Sequence, residues 1–141
     1  MDGRRLATVR AMSGVRDLDE LVRNIRPDRM PGRYVFVTLA KVPDGVDPVA
    51  CVREDEGLSV ILKQGDADRL CLPYDFVAAM ITLRVHSSLD AVGLTAAVAG
   101  TLAEAGISCN VVAGHFHDHL FVPVEHADRA TQLLHVLSTG G

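Results

Sequence analysis

The stretch that decides the fold is residues 80–137, MITLRVHSSLDAVGLTAAVAGTLAEAGISCNVVAGHFHDHLFVPVEHADRATQLLHVL. It begins with an apolar run at Met80–Val85, after which Leu94, Val98 and Leu102 recur one helical turn apart. Such a change of hydrophobic period indicates a strand followed by a helix. Two further strands and a second helix follow, so the order of elements is β-α-β-β-α.

The later elements of this stretch end at residues typical of turns and caps. Gly106 predicts the end of the first helix, Ile107–Ala113 the next strand and His117–His119 a tight turn. Leu120–Val124 is expected to pair back as a strand. The final helix has four apolar residues on one face: Ala127, Ala130, Leu134 and Leu137. This order predicts an α+β, ferredoxin-like sandwich, an antiparallel sheet with helices on one face.

The first half of the chain is richer in strands than in helices. The apolar spacing over Leu18–Ile25 predicts a helix, with Asp17 as its N-cap. Strands are expected at Tyr34–Ala40, Val49–Arg53 and Leu58–Lys63.

A ferredoxin-like unit needs a fourth strand after its second helix, but only Ser138–Gly141 follows here. Because an open sheet edge invites unwanted pairing, we expect the missing strand to come from the first half or from a second copy of the chain. The sequence therefore predicts two interlocked halves: residues 1–72, divergent and donating a strand, and residues 73–141.

Three segments of the second half resemble the ACT-domain family: Ile81–Ala97, Ala105–Ala113 and His117–Pro123. In the first half the resemblance rests on Tyr34–Val37 and Arg53–Ser59. The chain is most similar to a branch of small bacterial proteins with two ACT-like halves and no attached enzyme. The resemblance implies a regulatory module that binds a small molecule, usually an amino acid, often between two ACT units.

In that family the ligand lies against the loop after the first strand and the start of the next helix, which corresponds here to His86–Thr95. Elementary electrostatics favours the same place, because a helix N-terminus has unpaired N–H groups that attract a carboxylate. Gly93 would let a ligand approach the backbone, whereas Ser87, Ser88 and Asp90 are equally typical of simple helix caps. The candidate ligand residues of this segment are His86, Ser87, Ser88, Leu89, Val92, Gly93, Leu94 and Thr95.

Two other places are candidates for ligand contact. Asn110, beside Val111, is a polar residue in an apolar strand, and its side-chain oxygen would accept a hydrogen bond from an ammonium group. A structural partner in a loop is the alternative for Asn110. Glu56, in the acidic turn Glu54–Gly57, would contact a ligand if the two halves face each other, and an exposed hairpin turn is the alternative.

The segment His115–His119 has a histidine at every second position: His115, His117 and His119. On a continuous strand the three imidazoles would point to one face and could bind a metal ion. The spacing differs from the H-x-H-x-D-H signature of metallo-hydrolases, and the segment falls at a predicted turn. His115 stands where the ACT family more often has tyrosine. We predict no metal site, and the alternative is a metal-binding protein or metal-dependent hydrolase that uses these histidines.

Composition excludes several functional classes. A net charge of −4 and a pI near 5.8 give no reason to expect nucleic acid or an anionic membrane as partner. The sequence has no apolar run of about 20 residues and no signal peptide, so we expect a soluble cytoplasmic protein. Cys51, Cys71 and Cys109, odd in number and widely spaced, are expected to be buried reduced thiols.

The sequence contains no nucleophile elbow, phosphate loop or dinucleotide fingerprint. We therefore predict a protein that is not an enzyme and needs no cofactor. Its predicted role is that of a regulatory sensor for an amino acid or similar small molecule, acting as a homodimer. A dimerisation module without a ligand is a further alternative.

Overall fold

The computed structural model describes residues 17–85 and 89–140. These residues form four α-helices, a short 3-10 helix and one sheet of seven strands. The elements in chain order are α1 (Leu18–Arg23), β1 (Pro27–Arg29), β2 (Tyr34–Leu39), β3 (Ala50–Glu54), β4 (Gly57–Lys63), α2 (Gln64–Arg69), β5 (Val77–Leu83), α3 (Leu94–Glu104), β6 (Asn110–Ala113), β7 (Asp118–Pro123), the 3-10 helix (Val124–His126) and α4 (Ala127–Ser138).

The sheet is antiparallel throughout the described residues, in the order β3-β4-β2-β5-β7-β6, and β1 pairs with β5. One edge of β5 pairs along its length with β7, which is the arrangement of a ferredoxin-like unit. The other edge is shared, since β2 pairs with its beginning at Val77 and Ala78, and β1 with its end at Ile81–Leu83. Strands of the first half therefore occupy the position of the missing fourth strand.

Helices pack on one face of this sheet. Alternation along β5 turns Ala79, Ile81 and Leu83 toward the helices, where they join the main core. The helical residues of this core are Leu21 and Ile25 near α1, Leu94, Val98 and Leu102 of α3, and Ala127, Ala130 and Leu134 of α4. A smaller cluster under α2 surrounds Ala67. The predicted α+β sandwich with helices on one face is confirmed.

The opposite face of the sheet has a core of its own. Met80 and Phe121 are buried there together with Tyr34, Ile61 and Ala78. Every residue of this cluster in the described part of the chain lies on a strand or in a connection between strands, so no helix contributes to it.

The local predictions were confirmed where periodicity is strong and were wrong at three places. The N-cap is confirmed, since Oδ1 of Asp17 accepts a hydrogen bond of 2.9 Å from the amide of Glu20. Helix α2 and strand β1 were not predicted. The predicted turn at His117–His119 is wrong, because β7 already begins at Asp118 and the turn precedes it.

The expectation that the cysteines are buried is also wrong. Cys51 and Cys71 are exposed, and Cys109 is partly buried. Cys51 lies on β3, an edge strand with a neighbour on one side only, and Cys71 follows the C-cap of α2 with a positive φ of 56°. Among the helices of residues 17–85 and 89–140, none is long and apolar enough to cross a membrane.

Candidate functional site

A cavity of about 160 Å³ lies between the start of α3 and the turn that joins β6 to β7. The cavity is on the helical side of the sheet, where β5 ends and the chain passes into α3. Its lining residues are Leu89, Ala91, Gly93, Leu94, Thr95, Ala113, Gly114, Phe116, His117 and Asp118.

The first wall of the cavity is the N-terminus of α3. Gly93 occupies the N-cap position with a φ of 100°, a backbone conformation that glycine adopts without steric cost. No side chain of the described residues caps this helix, and its first recorded helical hydrogen bond runs from the amide of Ala97 to the carbonyl of Gly93 at 2.9 Å. The first-turn amides of Leu94 and Thr95 therefore give this wall a partial positive charge.

Gly93 also packs closely against the first half of the chain. A Cβ atom at this position would lie 3.0 Å from Cδ2 of Leu18 in α1. The loop before α3 thus lies between helix α1 and the cavity, and its backbone conformation favours glycine.

The second wall is the β6–β7 turn. The amide of Gly114 donates a hydrogen bond of 2.9 Å to the carbonyl oxygen of His117, which closes the turn. The Nδ1 atom of His117 is buried and has no hydrogen-bond partner among the described residues. Because a buried polar atom normally has a partner, this nitrogen is an unsatisfied polar group within the second wall.

Asp118 supplies the charged group of the second wall. Burial raises the pKa of its carboxyl group, and the neighbouring His119 and His117 partly oppose that rise. The cavity consequently has a partial positive charge at the α3 N-terminus and a carboxylate on the opposite side. Such an arrangement is complementary to a small molecule that carries both a negative and a positive group.

Part of the predicted loop does line the cavity. Leu89, Gly93, Leu94 and Thr95 belong to its lining, whereas Val92 is exposed and does not. The candidates His86, Ser87 and Ser88 lie outside the described residues.

The other predicted ligand residues lie elsewhere. Asn110 begins β6, while the cavity borders the end of that strand at Ala113, three residues or about 10 Å away. Asn110 is exposed, and its neighbour Val111 packs against the main core. Glu56 is exposed in the β3–β4 turn, and β3 and β6 are opposite ends of the strand order.

Sequence reasoning missed the wall formed by Gly114, Phe116, His117 and Asp118. The signal was the glycine at the start of this segment. A Cβ at Gly114 would lie 2.9 Å from the carbonyl oxygen of His117, so the tight turn begins at this glycine and not three residues later.

The three histidines of this segment do not form a metal site. The ring of His115 packs on Phe116 with centroids 4.9 Å apart, and Nδ1 of His119 lies 3.0 Å from Oγ1 of Thr82. In the described part of the chain, no group of three or more histidine, cysteine, aspartate or glutamate side chains is placed to hold a metal ion.

The antiparallel sheet, shared between two α+β halves, defines the class of fold. Comparison with protein families gives the same result, since the ACT domain matches residues 13–79 and, in a second form, residues 76–136. The chain belongs to the ACT-domain family. ACT domains are ligand-binding regulatory modules, so the chain has a ligand-binding regulatory role.

Solved structures with the same fold agree with this assignment. A protein of unknown function from Vibrio cholerae is 43% identical, with a TM-score of 0.78, covering 86% of this chain and 95% of that one. A protein from Agrobacterium tumefaciens is 23% identical, with a TM-score of 0.66, covering 82% and 90%. The ligand-free regulatory subunit of aspartate kinase from Thermus thermophilus is 10% identical, with a TM-score of 0.59, covering 77% and 93%. The curated proteins contain no match to the chain.

Proposed function

We propose that this protein is a non-catalytic sensor that binds a free α-amino acid in the cavity between α3 and the β6–β7 turn. The observation that carries the proposal is the pairing of the uncapped α3 N-terminus with Asp118 across one small cavity. An α-amino acid carries a carboxylate and an ammonium group on adjacent atoms, and this cavity offers a complement to each.

In the proposed complex the ligand carboxylate accepts hydrogen bonds from the amides of Leu94 and Thr95. The ammonium group donates to the carboxylate of Asp118. Asp118 thus takes the role that the sequence suggests for Asn110.

The cavity volume limits the size of the ligand. About 160 Å³ is close to the roughly 150 Å³ of an engineered cavity that holds one benzene molecule. An amino acid with a small or medium side chain fits this space, so we expect the larger aromatic amino acids to bind poorly.

The surface around the cavity supports a homodimer. Leu89, Val92 and Phe116 are large apolar side chains that are exposed by 70%, 82% and 59%. Leu89 and Phe116 line the cavity, and a second copy packed on these residues would cover its mouth and exclude water. The three free cysteines fit a reducing compartment, and the cytoplasm is the proposed location.

A thermal-shift screen of metal-stripped protein against the twenty amino acids and common divalent metals tests this function, with calorimetry on any hit. A ligand at about 100 times its Kd stabilises the folded state by about 2.7 kcal/mol, which raises Tm by roughly 5 °C. We expect one amino acid or a small related set to produce such a shift.

Two variants connect the shift with the cavity. Asp118→Asn should weaken binding about tenfold or more, because the ammonium group loses its charged partner. Asp44→Asn, at an exposed loop position, is the matched control and should bind like the original protein. A screen without any amino-acid shift would contradict the proposal and favour a dimerisation module, and a shift from zinc alone would favour the histidine alternative.

A further inference from the structure

A second cavity, of about 260 Å³, opens on the face of the sheet that carries no helix. Its apolar lining comes from Met30, Val49, Ala50, Met80, Val112 and Phe121. These residues belong to strands from both ends of the sheet and to the connections after β1 and before β3, so the sheet curves around the cavity. We call it the open-face groove.

The floor of the open-face groove is rigid and already excluded from bulk water. Phe121 is fully buried and makes edge-to-face contacts with Phe36 and Tyr34, with ring centroids 5.6 Å and 6.0 Å apart. Met80 is exposed by 8% although no helix covers it. These side chains form the base of the groove, and its accessible apolar surface comes from Val49, Ala50 and Val112.

One end of the groove is polar. The hydroxyl of Thr82, a buried residue, is 3.0 Å from Nδ1 of His119. Burial lowers the pKa of His119, the nearby His117 and Arg84 lower it further, and Asp118 partly opposes this, so the neutral form of the imidazole is favoured. The groove lining therefore carries a single formal charge, which is the guanidinium of Arg84.

The guanidinium of Arg84 is only partly used by the protein. Its Nε and Nη2 atoms donate to Oδ2 of Asp28, each at 3.2 Å, and Nη2 also approaches the sulfur of Met30 at 3.6 Å. No hydrogen bond of Nη1 to any described residue is recorded. Asp28 holds the guanidinium in place from outside the groove, since it is not part of the lining.

We propose that the open-face groove is a second ligand site, for a small monocarboxylate with an apolar body. The hydrocarbon part lies against Val49, Ala50 and Val112, above the buried Met80 and Phe121, and the carboxylate accepts hydrogen bonds from Nη1 of Arg84. A compact apolar cavity with one fixed cation at its end is the usual composition of a site for such a molecule. The site is distinct from the amino-acid cavity, which lies on the helical side and has neither Arg84 nor Met80 in its lining.

Octanoate is the probe, and 1-octanol, which has the same chain without the charge, is the comparison ligand. We expect calorimetry on the full chain to show one octanoate per chain and binding of 1-octanol weaker by about tenfold or more. Ala50→Leu narrows the groove and should weaken both ligands, with folding of each variant checked by its thermal transition.

The ion pair supplies the discriminating variants. Arg84→Gln should weaken octanoate about tenfold or more and leave 1-octanol unchanged. Asp28→Asn breaks the same ion pair but releases the guanidinium, so octanoate should bind equally or more tightly. Equal losses in these two variants would mean that the pair is merely structural, and would overturn the proposal.

Three other results would overturn it. Octanoate could fail to bind at millimolar concentration. Its binding could be lost in Asp118→Asn and kept in Arg84→Gln, which would assign it to the amino-acid cavity. Sedimentation could show a dimer that Ala50→Leu dissociates, which would assign the groove to a second copy of the chain.

Discussion

The amide nitrogen of Gly114 and the carbonyl oxygen of His117 are joined by a hydrogen bond of 2.9 Å that closes the turn beside the ligand cavity. This short separation leaves no room for a side chain at residue 114, where a Cβ would lie 2.9 Å from the same oxygen and 3.2 Å from Nε2 of His119. Gly114 and His117 line the amino-acid cavity, and His119 lines the open-face groove. The turn at Gly114 is therefore adjacent to both.

Gly114→Ala is expected to lower the free energy of unfolding by about 1–3 kcal/mol, because the turn must open to accept the methyl group. Urea denaturation measures this loss. Gly100→Ala in α3 is the matched control, since nothing lies within 4 Å of a Cβ there. The control should gain about 0.5–1 kcal/mol from the better helix propensity of alanine. A Gly114→Ala protein as stable as the control would contradict the tight turn.

The short helix α1 should contribute to stability through one face. Leu21 is fully buried in the main core, whereas Leu18, one turn earlier, is exposed by 38%. Leu21→Ala should cost about 2–5 kcal/mol because it leaves a cavity, and Leu18→Ala about 1 kcal/mol or less. Chemical denaturation of both variants checks the difference, and similar losses would show that α1 packs differently.

The Cys109 thiol should make stability depend on pH in the alkaline range. Burial raises the pKa of this thiol from 9.0 to about 11. Between these pH values the thiol has lost its proton in the unfolded chain and keeps it in the folded chain. The contribution of this thiol to the free energy of unfolding is therefore fully present below pH 9 and decreases as the pH rises toward 11.

The urea midpoint of the original protein should therefore fall between pH 8.5 and about pH 10.5 more steeply than that of Cys109→Ala. Cys51→Ala, which removes an exposed thiol, should retain the pH dependence of the original protein. If Cys109→Ala and the original protein lost stability in parallel, the thiol would not be the titrating group responsible.

The fragment 73–141 is not expected to fold by itself. Without the first half, β5 loses its pairing with β1 and β2, and the main core loses Leu21 and Ile25. Its circular dichroism should show no cooperative thermal transition, and adding the fragment 1–72 should restore one. A cooperative transition of the fragment alone would show that the second half is self-sufficient.

Much of the fold was predictable because most elements carry strong local periodicity. The α3 stripe of Leu94, Val98 and Leu102 is buried as expected, and the Asp17 cap is present. Helix α2 has the sequence QGDADR, in which Ala67 is the one buried residue. It has no apolar stripe, so periodicity could not predict it. Strand β1 has only three residues and begins with Pro27. It is defined by its pairing with β5, a strand more than 50 residues away in the sequence, so no local pattern predicts it.

The candidate site was predictable on one side only. Gly93 and the start of α3 could be located because a helix N-terminus is a local property of the sequence. Asp118 and His117 reach the same cavity through the β6–β7 register, in which Asp118 lies opposite Ala113. That register is set by tertiary packing, which no local pattern of the sequence reports, and β6 itself begins three residues later than predicted.

The sharing of β5 between the two halves also constrains how such a chain can change over generations. An array of independent domains can lose, gain or exchange one member by recombination without harm to the rest. Here, exchange of either repeat alone would leave β5 with an unmatched edge, because Pro27–Arg29 and the start of β2 complete the sheet of the other half. The two repeats must therefore be inherited together, and the sequence of each half can change only as far as its pairing with the other half allows.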